Sequence, residues 1–198
     1  MAVLFAILWP LERINTVILS IGRIIAVAAL AIMVCLILSQ AFLRYLFDGP
    51  PSWTEEGARF GMLWMTGLMA PLAYRTGGFV AIDMVERALP RLLSGLLTLL
   101  LMGIAMWVLV IAWDRGLYNH VDTLSGRGCS ASLRWPFGIE IGKCGARFQN
   151  NYQYAALWVG VNLLILVNLE LMIRQIIRLG GHGDRLTPLR ADTPTGAE

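Results

Sequence analysis

Residues 24–43, "IIAVAALAIMVCLILSQAFL", run for twenty positions without one charged side chain. A helix of that length rises about 30 Å, the thickness of a bilayer's hydrocarbon core. Arg23 sits at its edge, where a long side chain can snorkel to the surface, so the span is expected to begin near Ile18. Leu92–Trp113 is a second uncharged run, and Tyr152–Leu169 a third. The third extends to about Ile173, because "ELMIR" sets Glu170 and Arg174 four residues apart on one helical face, where they can pair. A water-soluble fold is closed to such a chain. Only 15% of its residues are charged and 57% are hydrophobic, against about a quarter charged in soluble domains.

A fourth run, Phe60–Tyr74, is too short to cross by itself, and the residues before it supply the missing length. "SWTE" is a capping box, in which the Ser52 hydroxyl takes the backbone N–H of Glu55 and the Glu55 carboxylate reaches back to Ser52. Pro50 and Pro51 bar helix upstream, so a helix over 52–74 is predicted, about 33 Å long. The fold class expected is therefore an all-α integral membrane protein. Its four transmembrane helices cover about 18–43, 52–74, 92–113 and 152–173 within a membrane domain 1–179.

The connections carry their own expectations. Met1–Pro10 lacks the basic start and small-residue cleavage site of a secretory signal. It is expected to lie on the membrane surface with Trp9 at headgroup depth. In "RTGGFVAIDMVERALP" the apolar Val80, Met84, Val85 and Ala88 alternate with Asp83 and Arg87 in the manner of a short interfacial helix. The loop 114–151 is polar and glycine-rich, with Trp135-Pro136-Phe137 as its one apolar knot, and a loop of that length is a candidate docking surface. Residues 180–198, rich in Gly, Pro, Thr and charge, read as a disordered cytoplasmic tail.

The net charge of +3 comes from arginine, Lys143 being the sole lysine, and it is scattered along the chain. That pattern flanks a membrane rather than gripping nucleic acid. Placing both termini inside gathers Arg13, Arg23, Arg75, Arg87, Arg91 and the arginines from Arg174 onward on the inner side. The remaining basic residues fall mostly in the long loop, which the positive-inside rule discounts.

Charge concentrates in "RYLFDGPPSWTEEGARF", residues 44–60. Glu55 and Glu56 fall in the first turn of the second helix, where the dipole favours negative charge, and Glu55 with Arg59 forms an i, i+4 pair. Glu56 points elsewhere and can meet Arg44 across the hairpin, clamping helix one to helix two. Capping plus interfacial solvation is the alternative. Trp53, Phe60 and Trp64 share one side of the helix, either facing lipid or lining a groove for a second membrane protein. Gly57 and Gly61 would permit close helix approach there.

Catalysis finds no support. No HExxH, GxSxG or P-loop pattern occurs, and His120 and His182 lie outside the spans, so no haem-ligating pair, metal site or other cofactor is expected. Cys35 falls inside the first span and reads as buried packing. Cys129 and Cys144 flank the apolar knot, and a disulfide between them is expected if the loop faces an oxidising compartment. Polar groups within the spans are few: Gln40, Asn162, Asn168 and Glu170. With so few, and no inverted repeat, the chain is a poor transporter by itself and reads as an accessory subunit.

The ordered set Arg44, Tyr45, Pro51, Trp53, Glu55, Glu56, Arg59 and Trp64 resembles the small-permease subunit, DctQ-like, of tripartite ATP-independent periplasmic (TRAP) transporters. "VAIDMVERALP" resembles that family's segment ahead of its third helix. Phe79 stands where many members carry histidine, and the loop 114–151 is longer than usual. The resemblance implies a non-enzymatic scaffold in a bacterial inner membrane. It would support a large membrane subunit that moves organic acids with sodium, served by a periplasmic solute-binding protein. Arg44, Tyr45, Trp53, Glu55, Glu56, Arg59 and Trp64 would then form the helix clamp and subunit interface. A stand-alone four-helix assembly protein of another membrane complex is the competing reading.

Overall fold

A computed structural model of the chain describes residues 2–47, 52–77, 91–114, 128–134, 144–145 and 147–181. Four long helices account for most of them: α1 (Ala2–Phe47), α2 (Ser52–Arg75), α3 (Arg91–Ile111) and α4 (Asn151–Leu179). Between α3 and α4 a two-stranded antiparallel hairpin pairs β1 (Cys129–Arg134) with β2 (Arg147–Gln149). The expected surface helix near residues 80–88 and the tail 182–198 lie outside the described residues, as does most of the long loop.

Three of the helices are long and apolar enough to cross a membrane: Leu4–Leu46, Leu93–Asp114 and Tyr152–Leu179. α2, at 24 residues, has the length. Its Glu55, Glu56 and Arg59 and its glycines make it the least apolar of the four. The count of four crossings therefore rests on length alone for this helix.

The first helix departs most from expectation. Residues 1–10 do not form a separate segment: from Ala2 onward they are the opening turns of α1, which runs unbroken for 46 residues, about 69 Å at 1.5 Å per residue. Pro10 lies inside it and forfeits one backbone hydrogen bond. Packing outweighs that loss, for Leu8, Asn15 and Leu19 on either side of Pro10 are all buried. α4 likewise outruns its expected end, reaching Leu179. There the Gly180 N–H donates to the Ile176 carbonyl at 3.0 Å and the Gly181 N–H to the Arg178 carbonyl at 3.1 Å. Gly181 adopts φ +79°, the left-handed conformation that ends helices.

Pairwise contacts fix the directions. Gly22 of α1 lies beside Leu68 of α2, and Gly57 of α2 beside Leu36 of α1, so the two run antiparallel. Trp64 reaches Tyr152 while Tyr74 reaches Asn168, so α2 and α4 run parallel. Gly95 meets Leu179 while Asn168 meets Met102, so α3 and α4 are antiparallel. The start of α1 and the end of α4 consequently share one end of the bundle, and the hairpin covers the other.

The core is thin. Ala26, Leu68 and Leu163 form its centre, with Trp64, Met65, Met69 and Val159 against it. The helices α2 and α4 approach at backbone distance: a Cβ on Gly67 would stand 2.5 Å from the Ala156 carbonyl oxygen, and one on Gly160 2.8 Å from the Gly67 oxygen. Close small-residue crossings are how membrane helices gain contact where lipid offers no hydrophobic drive. The outer faces remain apolar, with Ile24, Leu38 and Phe42 on α1 and Leu96, Leu100 and Trp107 on α3 all more than half exposed.

Candidate functional site

At the shared end of α1, α2 and α4 lies a buried charge network. Glu170 of α4 is its centre and is fully buried. Its Oε1 accepts hydrogen bonds from Arg75 Nη2 at 2.9 Å, Arg75 Nε at 3.3 Å and Arg174 Nε at 3.1 Å, while Oε2 accepts from Asn15 Nδ2 at 2.7 Å. Arg75 Nη1 also donates to Thr16 Oγ1 at 2.9 Å, and Thr16 in turn donates to the Glu12 carbonyl at 2.6 Å. Arg174 Nη2 stands 3.1 Å from Glu12 Oε1. Two carboxylates thus meet two guanidinium groups, and the cluster is electrically balanced.

Local sequence explains why these groups converge. Glu12, Asn15 and Thr16 sit at i, i+3 and i+4, one face of α1. Glu170 and Arg174 form the i, i+4 pair expected for α4, and the bond at 3.1 Å is present. Arg75 closes α2 and swings onto Glu170 instead of flanking a membrane surface. Sequence reasoning placed Arg75 among solvated inner charges and passed over Asn15. The signal available was the polar triplet on an otherwise apolar face.

A second polar junction ties α3 to the bundle. Tyr74 Oη donates to Asn168 Oδ1 at 2.6 Å, and Asn168 Nδ2 donates to the Met102 carbonyl at 3.1 Å. Asn168 is fully buried and bridges α2, α3 and α4.

The charged link lies at the opposite end. Glu55 Oε1 accepts from Arg59 Nη2 at 2.9 Å, both side chains being largely exposed. Exposed pairs of this kind add little to stability. The Ser52 side chain of the capping box lies outside the described residues. Glu56 differs from expectation: its Oε2 accepts from the Ser130 hydroxyl and, at 3.0 Å, from the Leu133 backbone N–H. Arg44 is exposed, and among the described residues it makes no ion pair with Glu56. β1 supplies both donors, and the Leu133 N–H is shared with the Ser130 hydroxyl oxygen at 2.9 Å, so the Glu56 carboxylate anchors the strand to α2.

Trp64 and Phe60 are also taken within the chain. Trp64 Nε1 donates to the Tyr152 carbonyl at 3.1 Å, and the Phe60 ring meets Phe148 of β2 edge-on at 5.4 Å. Trp53 and Tyr45 are exposed, Tyr45 at 90%. Gly57 and Gly61 face Leu36, Ala29 and Met33 of α1, so their close approach serves this chain's own packing. Cys35 is exposed on α1, not buried as expected, because α1 touches its neighbours along one narrow stripe. Cys129 and Cys144 are joined by a disulfide, with Cα atoms 5.8 Å apart.

No group of three His, Cys, Asp or Glu able to hold a metal ion occurs among the described residues. Both oxygens of Glu170 are engaged by donors, so the network is built to join helices.

No curated protein matches the chain, and no solved structure does. The family described as the DctQ component of tripartite ATP-independent periplasmic transporters matches residues 33–178, which contain α2, α3, the hairpin, the last third of α1 and all but the last residue of α4. This is a family of transporter components, not of enzymes, and it works in complexes with a large membrane subunit and a soluble binding protein. With the match reaching from the last third of α1 to the end of α4, the chain belongs to the DctQ family, the small membrane component of TRAP transporters.

Proposed function

We propose that this subunit acts as a scaffold in a sodium-coupled, binding-protein-dependent transporter for organic acids, stabilising the large subunit that moves the solute. One observation carries the reading: the buried charges are engaged in joining α1, α2 and α4, while the outer faces of α1 and α3 stay broadly apolar and open. A rigid interior and an extensive membrane-facing surface suit a part that others move against.

In this reading α2 is the fourth crossing, its 24 residues reaching about 36 Å with Glu55, Glu56 and Arg59 at the rim. The disulfide supports an orientation with the hairpin in the periplasm and both termini in the cytoplasm, because disulfides persist on the oxidising side of a bacterial inner membrane. At the hairpin end, exposed Arg44, Tyr45 and Trp53 form the subunit interface. Behind them Glu56 ties α2 to the hairpin and Trp64 ties it to α4, while Glu55 and Arg59 pair with each other on the rim of α2.

The test is organic-acid uptake driven by a sodium gradient in proteoliposomes containing the large subunit and the binding protein, with and without this chain. Uptake should require it. Undiminished uptake in its absence would sink the scaffold reading.

A further inference from the structure

The hairpin carries a feature that the scaffold role leaves unused. Strand alternation gives it two faces. Leu133 and Phe148 turn toward the bundle: the Leu133 N–H binds Glu56, its side chain lies 3.8 Å from where a Cβ on Gly57 would sit, and Phe148 packs on Phe60 and Tyr152. Arg134 and Arg147, one position along on each strand, are direct cross-strand partners, and both are exposed. Neighbours in that register share a face, here the one turned away from the helices.

Two arginines directly opposite each other repel, and among the described residues neither is in an ion pair. Such a pair weakens the hairpin it sits in. The hairpin nonetheless has three restraints, namely the Cys129–Cys144 bond, the Glu56 carboxylate under β1 and the Phe60–Phe148 contact. Outside the pair, the loop 114–151 is balanced, with Arg115, Arg127 and Lys143 against Asp114, Asp122 and Glu140, so its positive excess is the pair itself.

We infer that Arg134 and Arg147 form a docking point for an acidic face of the soluble solute-binding protein. The inference rests on the scaffold reading above, which supplies that partner and puts the hairpin on its side of the membrane. A protein surface fits better than anionic lipid headgroups. A lipid phosphate can be met by any flexible arginine at a helix end, whereas a framed pair facing away from the bundle presents charge at fixed spacing to a rigid body. Charge placed so speeds encounter and fixes register more than it adds affinity.

The experiment measures association of the system's purified binding protein with the assembled membrane complex in nanodiscs of pure phosphatidylcholine, for wild type and for Arg134→Glu with Arg147→Glu. The association rate should fall about tenfold or more in the variant, and the wild-type rate should drop steeply with added salt. Arg134→Gln with Arg147→Gln should give an intermediate rate. Co-purification of the large subunit and an intact disulfide in both variants show that assembly survives. If wild type itself retains no large subunit, the scaffold reading fails, not the docking point. Equal rates for wild type and charge-reversal variant in an assembled complex would overturn the docking point. So would binding that appears only when phosphatidylglycerol is added and is indifferent to the arginines.

Discussion

Removing the Glu170 carboxylate leaves two guanidinium groups, Arg75 and Arg174, buried without the acceptor they share. Breaking a buried charge cluster in this way costs about 3–5 kcal/mol. Glu170→Ala should therefore lower stability by that order, read from tryptophan fluorescence as the protein unfolds in mixed micelles. Asn15→Ala removes one neutral donor to the same carboxylate and should cost less, about 1.5–3 kcal/mol for a hydrogen bond to a charged group. Equal and small losses in both variants would mean that water already reaches the network. At this scale the sequence was partly legible. The Glu170–Arg174 spacing revealed half the cluster. Arg75 and Asn15 did not declare themselves, because Glu170, which both bind, is more than ninety positions away in the chain.

Helix existence was largely legible from uncharged runs, and helix limits were not. Pro10 and the apolar start of the chain read as a surface segment, yet burial of Leu8 and Asn15 carries α1 through both. α2 is described from Ser52 onward, where the capping box places its start. How helices approach was less legible still, since a glycine shows its purpose only beside its neighbour. Gly67→Ala must push a Cβ into the Ala156 backbone, 2.5 Å away, and overpacking of that kind costs about 1–3 kcal/mol. Gly103→Ala meets nothing within 4 Å and should be neutral or stabilise α3 by up to about 1 kcal/mol. Parallel unfolding curves for the two variants check the contrast. For the hairpin, thiol alkylation of the unfolded chain should modify Cys35 alone without reductant, and all three cysteines after reduction. Three reactive thiols at the outset would remove the disulfide and with it the support for a periplasmic hairpin.

As a whole, the molecule is a bundle with alternating helix directions, tied at one end by charge and covered at the other by a small hairpin. Among the described residues the buried charges of Arg75, Glu170 and Arg174 are ion-paired, and the outer faces of α1 and α3 are apolar. The composition already demanded a membrane, and the ordered residues around Trp53 already pointed to the TRAP family. Which of those residues face a partner could not be read from sequence, because the same tryptophans and glutamates also serve internal contacts such as Trp64 to Tyr152 and Glu56 to Leu133. In the scaffold reading proposed above, this subunit supports a larger one. The most direct measurement is affinity purification of the chain from native membranes in mild detergent, with its partners identified and counted by mass spectrometry. A large polytopic membrane subunit recovered in stoichiometric amount is the expected result. Recovery of this chain alone, or with an unrelated membrane complex, would contradict it.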